Sequence, residues 1–141
     1  MDLQNKIKLA LGGNKLATIS TVDIANTKPQ SALVAFVEND KLELYFQTSN
    51  KTRKYRNFSF NKSVAFVIGF GWTTLQYEGT AEEVSDKYEI EDVKELFAKK
   101  DSPTTRYYLE LPDTVIFKVT PHWIGYRNYH VHPPEIAELK F

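Results

Sequence analysis

The chain has no cysteine among its 141 residues, one methionine and only two tryptophans. The missing thiols exclude disulfides, thiolate metal sites and cysteine nucleophiles. No apolar run approaches the roughly 20 residues of a membrane span. The start, MDLQNKIKLAL, is too charged and too short in its apolar run for a secretory leader, so the cytoplasm is the expected compartment. Excess charge is missing too: 18 basic residues balance 18 acidic ones. That counts against nucleic acid as a general partner, since such domains are usually basic overall. There is no internal repeat and no low-complexity segment. What remains is ordinary for one soluble globular domain spanning 1–141, with 42% hydrophobic and 26% charged residues.

Familiar catalytic patterns are equally scarce. No glycine-rich Walker loop occurs, no serine has the G-x-S-x-G context, and no Ser/His/Asp arrangement can be named from spacing. His130 and His132 could share a strand face as metal ligands, yet no third ligand is spaced beside them, and a solvated tail explains them better. The carboxylate pairs Glu82-Glu83 and Glu91-Asp92 fall in an acidic stretch, Glu78 to Asp113, that carries eleven acids against five bases. General acid–base work there is not expected.

Against that background Leu42 to Phe58, LELYFQTSNKTRKYRNF, stands out. Leu42, Leu44 and Phe46 alternate with Glu43, Tyr45 and Gln47 as in a strand. Thr48-Ser49-Asn50 follows, made of helix-capping residue types. Four of the six residues from Lys51 to Arg56 are basic, and no acid lies between Glu43 and Glu78 to neutralise Lys51, Arg53, Lys54, Arg56 and Lys62. A strand entering a capped helix start is the layout of an anion site, where backbone N–H groups and the positive end of the helix dipole converge. Cations there oppose the dipole, and a phosphate would account for them. A solvated helix face accounts for the same residues about equally well.

The rest of the chain reads in order. Asp2 to Leu11 is an amphipathic helix with Leu3, Ile7 and either Ala10 or Leu11 inward, ended by Gly12-Gly13. Lys15 to Val22 is a strand, Asp23 to Gln30 a turn, and Ser31 to Val37 a nearly all-apolar strand. Glu38 to Lys41 turns into the stretch already described, whose helix runs from Lys51 to about Asn61. Ser63 to Phe70 and Thr73 to Val84 are strands, with Gly79 breaking or bending the second. Asp86 to Lys100 is a helix capped by Asp86, and a loop runs from Asp101 to Pro112. Thr114 to Thr120 is a strand, Trp123 to Tyr129 a separate one after Pro121, and the tail from Pro133 is short and helical. Six or so strands joined by tight turns predict an antiparallel barrel with helices at its rim. Trp72, Trp123, Tyr126 and Tyr129 suit a core or interface, and near cations they could wall a flat heterocycle. A single-stranded nucleic-acid binder on a small barrel stays open on the same residues.

The succession NKLATISTV, SALVAFVENDKLELYFQTSNKTRKYRN, SVAFVIGF, LQYEGTAEEV and IFKVTPHWI resembles the pyridoxamine 5′-phosphate oxidase-like family, the FMN-binding split barrels, from about Asn14 to Tyr126. The resemblance implies a mainly β fold with flanking helices, a six-stranded antiparallel split β-barrel, and FMN held at a homodimer interface. Ser31, Ala32, Leu33 and Val34 match the strand whose backbone borders the isoalloxazine. Tyr45, Phe46, Gln47 and Thr48 match the strand end that holds the ring edge and ribityl chain. Lys51 and Lys54 match the basic phosphate positions, with Thr52 in place of the family's serine. Thr74 and Gln76 match positions reaching the flavin from the partner subunit, and Trp123 falls where the last strand approaches it. Two departures separate the chain from the true oxidases. Gln30-Ser31 stands where they carry arginine, and Tyr126 to His130 replaces their R-L-H type segment. The chain looks more like the small general-stress-protein branch. The implied function is flavin-dependent oxidoreduction on an undefined small substrate and electron donor. The alternatives are a flavin carrier or sensor without turnover, or a deazaflavin in place of FMN.

Overall fold

The structure, a computed structural model, describes residues 1–100 and 107–141; the first half of the expected Asp101–Pro112 loop lies outside the described residues. Helix α1 is Leu3–Gly12, followed by strands β1 (Leu16–Val22), β2 (Pro29–Glu38) and β3 (Leu44–Ser49). Helix α2 is Arg53–Phe60, then come β4 (Ser63–Ile68) and β5 (Thr73–Glu83). Helix α3 (Lys87–Lys100), β6 (Thr114–Asn128) and β7 (Glu135–Lys140) complete the chain. Every strand pairing is antiparallel, in the order β3-β2-β1-β4-β5-β6-β7, and a further β3–β6 pairing closes the first six into a barrel.

The barrel interior is aromatic. Phe46 stacks on Phe117 with centroids 5.4 Å apart, Phe58 lies 4.8 Å from Phe117, and Phe66 meets Tyr77 edge to face. Tyr77 is buried, so its hydroxyl needs an acceptor; it donates to the Leu42 carbonyl at 2.7 Å. Helix α1 plugs one end with Ile7 and Leu11, both fully buried, while Asp2 caps it by accepting from the Asn5 N–H at 2.8 Å. Helix α3 covers a second cluster outside the barrel, Val37, Tyr45, Val84, Val93, Phe97 and Ile116. Asp86 caps it through the Glu89 N–H, as its residue type suggests.

Four elements depart from the sequence reading. Leu42 is a turn residue with φ 62°, so β3 starts at Leu44. β2 starts at Pro29, because Gln30 and Pro29 keep pairing with Thr21 and Val22. β6 is one strand of 15 residues running through Pro121. Proline has no ladder donor, and the register shifts beside it: Glu78 pairs with Trp123 and Gly79 with Pro121, which leaves His122 as the extra, bulged residue of β6. Gly79 is needed there, since a Cβ would sit 2.3 Å from the Thr120 carbonyl oxygen. The tail is strand β7, with Leu139 packed against the core and Lys6 paired with Glu135 at 2.6 Å.

Candidate functional site

The barrel is unzipped at one corner. β2 and β3 pair only over Phe36↔Phe46, Val37↔Tyr45 and Glu38↔Leu44. Beyond that point β2 keeps β1 on one side, from Ala35 back to Pro29, and β3 keeps β6, from Gln47 to Ser49. Helix α2 starts in the gap. Thr52 is its N-cap, its hydroxyl accepting from the Tyr55 N–H at 3.3 Å and lying 3.0 Å from the Thr48 hydroxyl. The helix therefore starts after Thr52, rather than after Thr48-Ser49-Asn50.

A cavity of about 150 Å³ occupies the opening, lined by Thr21, Gln30, Ser31, Ala32, Arg53 and Lys54 together with Ile19 and Thr52. Its floor is a closed polar network. Buried Asn57 donates to the Thr21 hydroxyl at 3.0 Å and to the Gln30 amide oxygen at 2.9 Å, and accepts from the Ile24 N–H. Gln30 in turn donates to Asp23 at 2.7 Å. Asp23 lies below the usual carboxylate range, chiefly because the Ala25 and Asn26 N–H groups bond it, with Gln30 and the Arg53 charge adding to this. Gln30 is thus fixed by its neighbours at both ends of its amide.

Lys54 differs from the other cations. It is half-buried, no described carboxylate pairs with it, and burial alone pushes its ammonium below the usual lysine range. Lys51 points elsewhere, 3.2 Å from Asp113, and Lys62 is 3.3 Å from Glu82. Their neutralising acids come from distant parts of the chain, which counting acids nearby in sequence could not show.

The other residues singled out from the sequence distribute by strand face. Ser31, Ala32, Thr52 and Lys54 meet at the cavity. Thr48 is buried beside Thr52, and Gln47 is half-buried at the open edge. Phe46 faces the barrel core, Tyr45 lies under α3 donating to Glu89 at 2.8 Å, and Val34 is inside. Of Tyr45 and Phe46, then, only the backbone runs toward the opening. Leu33 is on the outer sheet face, in register with Thr18, which pairs with Val67, which pairs with Gln76, which pairs with Gly125. Thr74 and Trp123 share that face. β5 stands three strand spacings from β2, roughly 14 Å, so Thr74 and Gln76 are remote from the cavity of their own chain. Arg53 was named in the basic run but not matched to a phosphate position, Gln30 was named only as a departure from the true oxidases, and the Thr21–Gln30–Asn57 floor was not singled out from the sequence. Nothing local signals that floor, whose bonds join residues 27 and 36 apart in sequence.

Among the described residues no group of three or more His, Cys, Asp or Glu could hold a metal, and no helix is long and apolar enough to cross a membrane.

No curated protein matches the chain in sequence. Among solved structures, the General Stress Protein 26 from Bacillus anthracis is 26% identical at a TM-score of 0.74, with 99% of this chain and 100% of that one covered. An FMN-binding, pyridoxamine 5′-phosphate oxidase-related protein from Nostoc punctiforme is 13% identical at 0.73, covering 100% and 99%. The haem storage protein HutZ from Vibrio cholerae is 19% identical at 0.73, covering 99% and 95%. The latter two share the fold. The split between β2 and β3, the strand order and the capped basic helix agree with a match of residues 3–128 to the model of the pyridoxamine 5′-phosphate oxidase family, and the chain belongs to that family.

Proposed function

We propose that the chain is an FMN-binding oxidoreductase acting on a small substrate, with the flavin phosphate at the α2 cavity and the ring running along the open edge of β2. The observation that carries this reading is Lys54: a half-buried cation with no carboxylate partner among the described residues, beside Arg53 and a helix start, lining a cavity with Gln30 to Ala32 of β2, a stretch that has left its pairing with β3. Such a lysine costs folding free energy unless an anion meets it. FMN would supply hydride or electron transfer. The chain's own residues would neutralise the phosphate (Lys54, Arg53), offer N–H and hydroxyl donors (Thr52, Ser31) and orient the cavity wall (Asn57, Gln30).

The same reading includes a homodimer. Leu33 (60% exposed) and Val67 (41%) place apolar side chains on the outer sheet face, and nothing among the described residues covers them. Thr74, Gln76 and Trp123 lie on that face but far from their own cavity, so a second copy would have to bring them to the ring. Gln30, held by Asp23 and Asn57 where the true oxidases carry arginine, favours a substrate other than pyridoxamine 5′-phosphate. The absorbance spectrum of protein purified in its native state tests the cofactor. Flavin bands that nicotinamide nucleotides bleach support the oxidoreductase, and flavin bands that no donor bleaches leave a carrier. A haem band in place of flavin would follow the HutZ likeness and refute the reading. Leu33→Arg, followed by sedimentation, should give monomers that release flavin; a flavin-loaded monomer would remove the interface from the site.

A further inference from the structure

The barrel of six closes without β7, through the β3–β6 pairing. What β7 brings to the outer face is Glu138. Its Oε2 accepts the Trp123 indole N–H at 2.8 Å, and its Oε1 lies 3.5 Å from the Lys140 ammonium. In the ladder Glu138 stands opposite Gly125, and Lys140 opposite Trp123. The indole leans over Gly125: a Cβ there would lie 2.5 Å from Cη2, 3.1 Å from Cζ2 and 3.2 Å from Cζ3. The six-membered ring therefore rests on bare backbone, while the N–H edge is tied to the next strand. Gln76 pairs with Gly125 from the other side, so the indole lies beside a residue already placed on the same face.

We propose that Glu138 and Gly125 are positioning residues that hold the Trp123 indole flat against the sheet as a preformed stacking wall for the flat ring of the ligand. The inference rests on the FMN reading above and names how this chain prepares one side of that site. A ring fixed beforehand surrenders little rotamer freedom on binding, and its face is open for offset stacking. Trp123 donating to Glu138 keeps that carboxyl below its usual range, with Lys140 and Arg127 adding their charges, so the anchor stays ionised through neutral and mildly acid pH.

The test uses full-length protein carrying Trp72→Phe, in which Trp123 is the sole indole. Without ligand, Glu138→Ala should raise acrylamide quenching of Trp123 and weaken its near-ultraviolet dichroism, with the melting temperature unchanged. Glu138→Gln should retain both signals, because an amide oxygen still accepts the N–H. FMN affinity should fall roughly threefold to tenfold in Glu138→Ala, the worth of one lost hydrogen bond, and stay near the parent value in Glu138→Gln. Gly125→Ala should displace the indole further; if it does not fold, the Glu138 pair decides alone. Unchanged quenching and dichroism in Glu138→Ala would overturn the positioning. A freed indole with unchanged FMN affinity would overturn its role as a wall. A parent protein that binds no FMN would refute the cofactor reading, while the ligand-free signals would still decide whether Glu138 orients the ring.

Discussion

Replacing Lys54 by methionine should separate binding from stability. The ammonium is half-buried and its proton affinity is lowered by burial alone. A lysine whose folded-state pKa is depressed penalises folding wherever it is charged, that is, below that pKa; the penalty vanishes as pH rises above the unfolded value near 10.5. Methionine keeps the apolar stem and removes the charge. Free of ligand, Lys54→Met should therefore be at least as stable as the parent at neutral pH, with its advantage shrinking in alkali. Toward FMN it should be worse. One charge-assisted hydrogen bond to a phosphate is worth about 1.5–3 kcal/mol, or roughly tenfold to 150-fold in dissociation constant. Lys51→Met is the control, since Lys51 sits largely in solvent against Asp113, and exposed pairs contribute about 0–1 kcal/mol. Flavin fluorescence titration and thermal melting of the three proteins provide the assay. Equal affinities for the two variants would refute the phosphate assignment. A ligand-free Lys54→Met that melts well below the parent would refute the claim that this charge is an uncompensated cost.

Gly79→Ala should lower the melting temperature by about 5–15 °C, as a cost of roughly 2–4 kcal/mol implies; the new Cβ would meet the Thr120 carbonyl oxygen at 2.3 Å and Val119 Cγ1 at 2.9 Å. An unchanged melting curve would show the Pro121 bulge to be slack. Tyr77→Phe removes a buried hydroxyl and strands the Leu42 carbonyl, costing about 1–3 kcal/mol in denaturant unfolding. Phe117→Ala empties a site packed by Phe46, Phe58 and Tyr55, and should cost about 3–5 kcal/mol. A loss below 1 kcal/mol would mean that the aromatic interior collapses to fill it.

Alternation and turn residues made most of the barrel legible, because each strand buries one face and each helix carries its own cap. The misses share a cause: tertiary pairing overrode local preference. Glu135 to Lys140 is rich in helix formers, yet β6 offers an open edge and the core takes Leu139. Pro121 looked like a strand end, but a bulge at the next residue of the same strand, His122, let the ladder pass. At the candidate site, the basic run pointed to the helix whose start lines the cavity but did not show which of its cations face it. One residue decides which cations face the cavity: with Thr52 as cap, Arg53 and Lys54 line it while Lys51 precedes the helix. Asn57, the centre of the polar floor, looks in sequence like any helix-surface asparagine; only its bonds to Thr21 and Gln30 distinguish it.

The short β2–β3 seam has a dynamic consequence. Three paired residues hold it, against seven between β1 and β2 and six between β3 and β6. Opening free energies within a fold vary with how much each seam buries and bonds. Amide protons at Val37 and Tyr45 should accordingly exchange through a smaller opening than those of the β1–β2 ladder. A ligand bridging the gap would act as a temporary extra strand, so the slowing of exchange at this seam would report occupancy even for a substrate that changes no colour.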